Sequence, residues 1–135
     1  MKTIEITLSM LFILFFTRVP AQEAKSDPNK ETVFMIVEQM PEFPGGEQAL
    51  RDFIVKNVQY PEEAKKAGIS GKVFVNFVID ENGKVIMCKV VRGVSPLLDQ
   101  EALRVTKEMP DWTPGKQKGK AVKVSYTMPI AFVLN

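Results

Sequence analysis

The stretch KVFVNFVIDENGKVIMCKVVR, Lys72 to Arg92, has the pattern of a strand, a tight turn and a second strand. Val73, Val75, Phe77 and Ile79 recur at every second position, the period of a strand with one buried face. Asp80-Glu81-Asn82-Gly83 then offers a hairpin turn, because Asn-Gly accepts the backbone angles that a tight reversal demands, and Val85 to Arg92 reads as the return strand. Downstream, Gly93 ends that strand and Ser95-Pro96 reads as a helix cap followed by a first-turn proline. Leu98, Ala102, Val105 and Met109 mark the inner face of the helix, and Pro110 terminates it. Trp112 to Lys120 reads as a loop. Val122 to Leu134 is the longest strand signal in the chain, with Val122, Val124, Tyr126, Met128, Ile130, Phe132 and Leu134 on one face. Pro129 has the opposite parity; a proline cannot donate to a sheet ladder, so this strand lies at an edge or kinks there.

Upstream of the hairpin, Val33 to Val37 is a compact apolar run that suits a short strand or a packed extended segment, and Pro41-Glu42-Phe43-Pro44-Gly45-Gly46 breaks the chain. From Glu47, Ala49, Leu50, Phe53, Ile54 and Val58 follow the helical period, with Arg51, Asp52 and Lys56 on the other side. Tyr60-Pro61 ends that helix and begins a second one, with Glu62 and Glu63 at its positive end, Lys65 and Lys66 at its negative end and Gly68 as the left-handed terminator. The order helix, helix, strand, strand, helix, strand predicts an α+β fold, a two-layer domain with helices packed on one face of a three-stranded antiparallel sheet.

The extreme N-terminus has its own character. Lys2 precedes the apolar run Ile6 to Phe16, and Val19 and Ala21 stand where a signal-peptide cleavage site needs small residues. The expected organisation is a signal peptide over 1–21, a polar leader and short apolar segment over 22–36, and the folded domain over 37–135, with Gln22 as the mature N-terminus. An uncleaved inner-membrane anchor facing the periplasm is the alternative, although a spanning helix needs about 20 apolar residues.

Composition removes most chemistry. The 135 residues carry 18 basic and 16 acidic side chains, a net charge of +2, with no histidine and one cysteine. So balanced a chain projects no strong field toward nucleic acid. Without histidine there is no Ser-His-Asp triad and no His-ligated metal, and one cysteine makes no cluster. The carboxylate pairs Glu62/Glu63, Asp80/Glu81 and Asp99/Glu101 each have a local structural reason, at a helix start or in a turn. Lys116 to Lys120, with Lys123 nearby, reads as a solvated basic loop, and Gly45-Gly46 lacks the strand-to-helix setting of a phosphate loop. Cys88 reads as a buried or half-buried strand thiol. No catalytic, metal or cofactor site is assigned. What remains is the last strand, whose unpaired backbone groups can accept an extended peptide, or be kept unsociable by Lys123 and Pro129.

Phe43-Pro44-Gly45-Gly46, Tyr60-Pro61-Glu62-Glu63-Ala64, Gly71-Lys72-Val73, Asp80-Glu81-Asn82-Gly83, Trp112-Thr113-Pro114-Gly115 and Tyr126-Thr127-Met128-Pro129 together resemble the TonB C-terminal domain, in the form common in Bacteroidetes. The resemblance covers about Val37 to the C-terminus and implies a TolA/TonB-like fold. It also implies a periplasmic domain that binds the TonB box of a TonB-dependent outer-membrane receptor by strand addition. Carried over by position, the peptide contacts are Val122, Val124, Tyr126, Met128 and Ile130 on the last strand, with Gln59, Tyr60 and Pro61 nearby. A homodimer is a further partner to test, as is an ExbB–ExbD complex if the chain is anchored. The chain departs from an energy-transducing TonB in lacking histidine, a long apolar span and a Pro-rich rod. Its leader of eleven residues stretches no further than roughly 40 Å. A free periplasmic peptide-binding domain is therefore expected, with a short anchored transducer as the alternative.

Overall fold

A computed structural model describes residues 32–135; the segments expected as signal peptide and polar leader lie almost entirely outside the described residues. From Thr32 onward the elements run β1 (Val33–Phe34), α1 (Gly46–Asn57), α2 (Glu62–Lys66), β2 (Gly71–Ile79), β3 (Val85–Arg92), α3 (Pro96–Lys107), β4 (Gly115–Gln117) and β5 (Lys120–Phe132). The α+β architecture and the three long antiparallel strands match the expectation. The run Val33 to Val37, read as a short strand or a packed extended segment, begins with β1, which lies parallel to the start of β5; β4 is additional and forms within the stretch read as a loop. The order across the sheet is β1-β5-β2-β3, with β4 also paired to β5.

The β2–β5 pairing is the spine of the sheet. Its register runs without a break from Gly71 opposite Phe132 to Ile79 opposite Val124. This sets Val73, Val75, Phe77 and Ile79 against Ile130, Met128, Tyr126 and Val124 on one face, where all but Tyr126 are buried. Leu98, Ala102 and Val105 of α3 and Ala64 of α2 close over that face. Each large apolar side chain fully buried there contributes about 1.5–3 kcal/mol. The opposite face is more polar: the Asn76 amide donates to Ser125 Oγ and Thr127 Oγ1, each at 2.9 Å, and the Arg92 guanidinium lies over the Phe74 ring.

Local chemistry fixes the ends of the elements. Gly83, at φ 82°, closes the β2–β3 turn, donating its N–H to the Asp80 carbonyl, while Asp80 Oδ1 accepts the N–H groups of Asn82 and Lys84. Ser95 Oγ caps α3 by accepting from the Leu98 N–H, with Pro96 in the first turn. Pro61 stands at the cap of α2, one position before the first helical residue, and Ile69 N–H closes that helix on the Ala64 carbonyl past Gly68. Trp112, placed in a loop by the sequence, is a core residue: it is 4% exposed and touches the rings of Phe43, Phe77 and Tyr126. A lone tryptophan between turn residues has no periodicity to announce its burial.

Candidate functional site

β5 has a different neighbour along each part of its length. Lys120 to Val122 pair with β4, Lys123 and Val124 with β1, and Val124 to Phe132 with β2. From Ser125 to Phe132, no strand among the described residues pairs the edge opposite β2. This open edge spans eight residues, roughly 27 Å at about 3.4 Å per residue.

Pro129 shows which backbone groups face outward. Proline has no N–H, so its unbroken register with Phe74 is compatible with a full ladder only where its nitrogen points away from β2. Because backbone direction alternates, Val124, Tyr126, Met128 and Ile130 bond to β2. Ser125, Thr127 and Ala131 turn their N–H and C=O groups to the open edge. The Asn76 amide reaches the Tyr126 carbonyl at 3.3 Å, which sets that carbonyl on the β2 side as this alternation requires.

Beside the open edge runs helix α1. It begins at Gly45 and Gly46, with φ 89° and 87°, and no side chain caps it. A Cβ on Gly45 would fall 2.8 Å from the Ala49 methyl, so the tight Pro-Gly-Gly turn into the helix needs glycine there. α1 has no fully buried residue, whereas α3 has five. Lying shallowly, α1 leaves a groove of about 480 Å³ between Leu50, Ile54 and Val58 on one wall and Met128, Pro129 and Ala131 on the other. A second cavity of about 480 Å³ adjoins it at Glu47, Leu50 and Tyr126 and is lined further by Phe43 and Trp112. The lining is mostly apolar, with Glu47 and Arg51 at the rim in an exposed pair at 3.6 Å, an interaction of little energy. Trp112 Nε1 is buried and finds no acceptor among the described residues.

The sequence-derived site residues occupy distinct places. Tyr126, Met128 and Ile130 share the face of β5 that looks toward the helices; Tyr126 and Met128 line the groove, and Ile130 is fully buried. Val124 is flanked by β1 on one side and β2 on the other, and Val122 is paired with Gly115. Gln59, Tyr60 and Pro61 form the link from α1 to α2. There the Tyr60 ring meets Phe132 edge-on at 5.6 Å and its hydroxyl donates to the Ile69 carbonyl. Sequence reasoning missed the α1 wall. Its signal was the apolar pair Ile54-Val55 next to each other, which widens the helix face beyond what one core contact covers; Val55 is 77% exposed.

Among the described residues, Cys88 and Arg104 have displaced pKa values, and neither lines the groove. Burial pushes the Cys88 thiol above its ordinary value, partly offset by the Lys107 charge. The hydrogen bond to Glu101 holds Arg104 further above its usual range, and Arg104 also donates to the Asn57 carbonyl at 2.8 Å, tying α3 to the end of α1. Among the described residues, no group of three or more acidic or cysteine side chains is placed to hold a metal, and no helix is long and apolar enough to cross a membrane.

Comparison with known proteins agrees with this architecture. The family model described as Gram-negative bacterial TonB protein C-terminal matches residues 56–134. A solution structure of the Helicobacter pylori TonB C-terminal domain is 27% identical, with 65% of this chain and 79% of that chain covered and a TM-score of 0.50. A second solution structure of that domain is 28% identical, covering 65% of this chain and 92% of that chain at a TM-score of 0.49. No curated protein matches. The chain belongs to the TonB C-terminal domain family, whose members are non-enzymatic periplasmic domains of TonB-dependent transport.

Proposed function

We propose that this domain engages a TonB-box-type segment of an outer-membrane receptor as an added strand on the open edge of β5. The observation that carries the reading is the coincidence of eight unpaired edge residues, Ser125 to Phe132, with an apolar groove along the same edge. Backbone groups of Ser125, Thr127 and Ala131 supply affinity without regard to sequence, and alternate peptide side chains enter the groove against Leu50, Ile54 and Met128 to supply selectivity. A peptide held by such a ladder can be pulled, because the load is shared among several hydrogen bonds.

The test is a titration of the isotope-labelled protein with receptor N-terminal peptides, read by amide shifts and by the fluorescence of Trp112, the single tryptophan. Shifts concentrated at Ser125, Thr127 and Ala131 are expected. Box peptides that leave these amides unmoved would defeat the reading. The proposed location is the periplasm after cleavage before Gln22. Mass spectrometry of the native protein then finds Gln22 at the N-terminus, whereas an intact Met1 in the inner-membrane fraction would favour the anchored transducer.

A further inference from the structure

From Trp112 to Asn135 the chain carries four lysines and no acidic residue, so a molecule of net charge +2 concentrates positive charge in this stretch. Lys116 in β4, Lys118 in the turn and Lys120 at the start of β5 are all exposed. Lys118 and Gly119 join the two strands with φ 51° and 75°, both positive as a type I′ hairpin turn requires. Asparagine, aspartate or glycine fills the first of these positions with less strain than lysine. The turn itself therefore does not select a lysine at 118.

Beside this hairpin, two large apolar side chains stand in solvent: Met35 is 75% exposed and Ile36 84%. They follow β1, whose Val33 pairs with Lys123. They precede Glu38, whose N–H donates to Gln117 Oε1 at 3.0 Å and whose carboxylate accepts the Lys118 N–H at 3.3 Å. The bend that carries Met35 and Ile36 is thus held to the hairpin at both ends, and the one carboxylate on the bend is engaged with the turn backbone. Met35, Ile36, Lys116, Lys118 and Lys120 line neither the groove nor its adjoining cavity.

We propose that this surface docks on a lipid bilayer bearing anionic headgroups, with the three lysines at the headgroups and Met35 and Ile36 inserted at the acyl boundary. Exposed apolar side chains beside a lysine cluster are the two components of interfacial binding. Each lysine near an anionic surface strengthens binding by about fivefold, so three together supply about a hundredfold. Lysines alone are accounted for by keeping a sheet end soluble, but that role gives no reason for Met35 and Ile36 to stand next to them. A protein partner needs a complementary packed surface, whereas side chains projecting from a bend enter a fluid interface without one.

Amide relaxation of the full chain on lipid nanodiscs with a spin-labelled headgroup, in the absence of receptor peptide, tests the docking. On discs containing phosphatidylglycerol, enhanced relaxation is expected at Met35, Ile36, Lys118 and Gly119, and it is expected to be lost at high salt and on discs of phosphatidylcholine alone. The triple variant Lys116→Gln, Lys118→Gln, Lys120→Gln and the double variant Met35→Ser, Ile36→Ser change only exposed side chains and are expected to fold by circular dichroism and lose the enhancement. Lys118→Asn suits the turn better, so its urea midpoint should hold or rise while its affinity for the anionic discs falls about fivefold. No enhancement at the hairpin, the result expected if these residues serve a protein partner instead, overturns the proposal. So do equal enhancement on both kinds of disc, variants that behave as wild type, or enhancement spread evenly over the domain, as tethering through the N-terminal apolar run alone would give. None of these outcomes depends on whether a receptor peptide binds.

Discussion

At Gly83 a Cβ would fall 1.8 Å from the Trp112 carbonyl oxygen, and the Gly83 carbonyl accepts the Trp112 N–H at 2.7 Å. The hairpin turn and the tryptophan segment are thus locked backbone to backbone, at a φ that side chains resist. Gly83→Ala is expected to cost about 3 kcal/mol or more, combining left-handed strain with an overlap that neither backbone can relieve; urea unfolding followed by Trp112 emission measures it. Tyr60→Phe is a milder change. It leaves the Ile69 carbonyl without its donor and keeps the ring against Phe132, so a loss of about 1 kcal/mol is expected in the same assay. Because that hydroxyl is committed within the molecule, peptide affinity should stay unchanged, and a large drop would mean that Tyr60 touches the peptide through its oxygen. Cys88 gives a pH signature. Burial raises its pKa in the folded state, so folding favours the protonated thiol. That contribution is fully present below the unfolded thiol value of about 8.5 and is lost as pH rises through the folded value. Unfolding free energy of wild type should fall over this alkaline window more steeply than that of Cys88→Ala.

Among the elements, β5 and α1 make opposite bargains with the core. β5 is committed to β2 along one edge, and the alternation of its backbone separates two proline substitutions that the sequence alone could not tell apart. Tyr126→Pro removes a ladder N–H facing β2 and a core aromatic, and is expected to unfold the domain, whereas Thr127→Pro removes an outward N–H, as the native Pro129 already does. Thr127→Pro should therefore fold, by circular dichroism, and lose peptide binding; retained binding would argue against the open edge as the site. α1, with no fully buried residue, should exchange its amide protons well before α3, whose Leu98, Ala102 and Val105 are sealed in the core. The sequence made the larger elements legible because each carries several turns of its own period: the alternation over Lys72 to Ile79 and the spacing Leu98, Ala102, Val105 leave little choice. β1 and β4, at two and three residues, are too short to show any period, and each exists only because β5 is there to pair with. The groove was illegible for a related reason. It depends on how deeply α1 sits, and depth is set by the Pro44-Gly45-Gly46 turn and the Arg104–Asn57 tie rather than by the helix's own pattern.

For the whole molecule, the open edge and the shallow helix make stability and ligand occupancy one quantity. A peptide that adds to β5 supplies the neighbour that Ser125 to Phe132 lack and covers the exposed flank of α1, so it binds the folded chain and has nothing to hold in the unfolded one. Linkage then fixes the size of the effect: at a free peptide concentration a hundred times its Kd, the folded state gains about 2.7 kcal/mol. For a domain of about 100 residues this raises Tm by roughly 10–20 °C, since each kcal/mol is worth about 4–8 °C. Calorimetry with a saturating box peptide should show that rise, and Thr127→Pro, folded but stripped of one outward amide, should show far less of it. A peptide that shifts amides in the groove without moving Tm at a hundred times its Kd would bind folded and unfolded chain alike, which an added strand on a formed sheet cannot do.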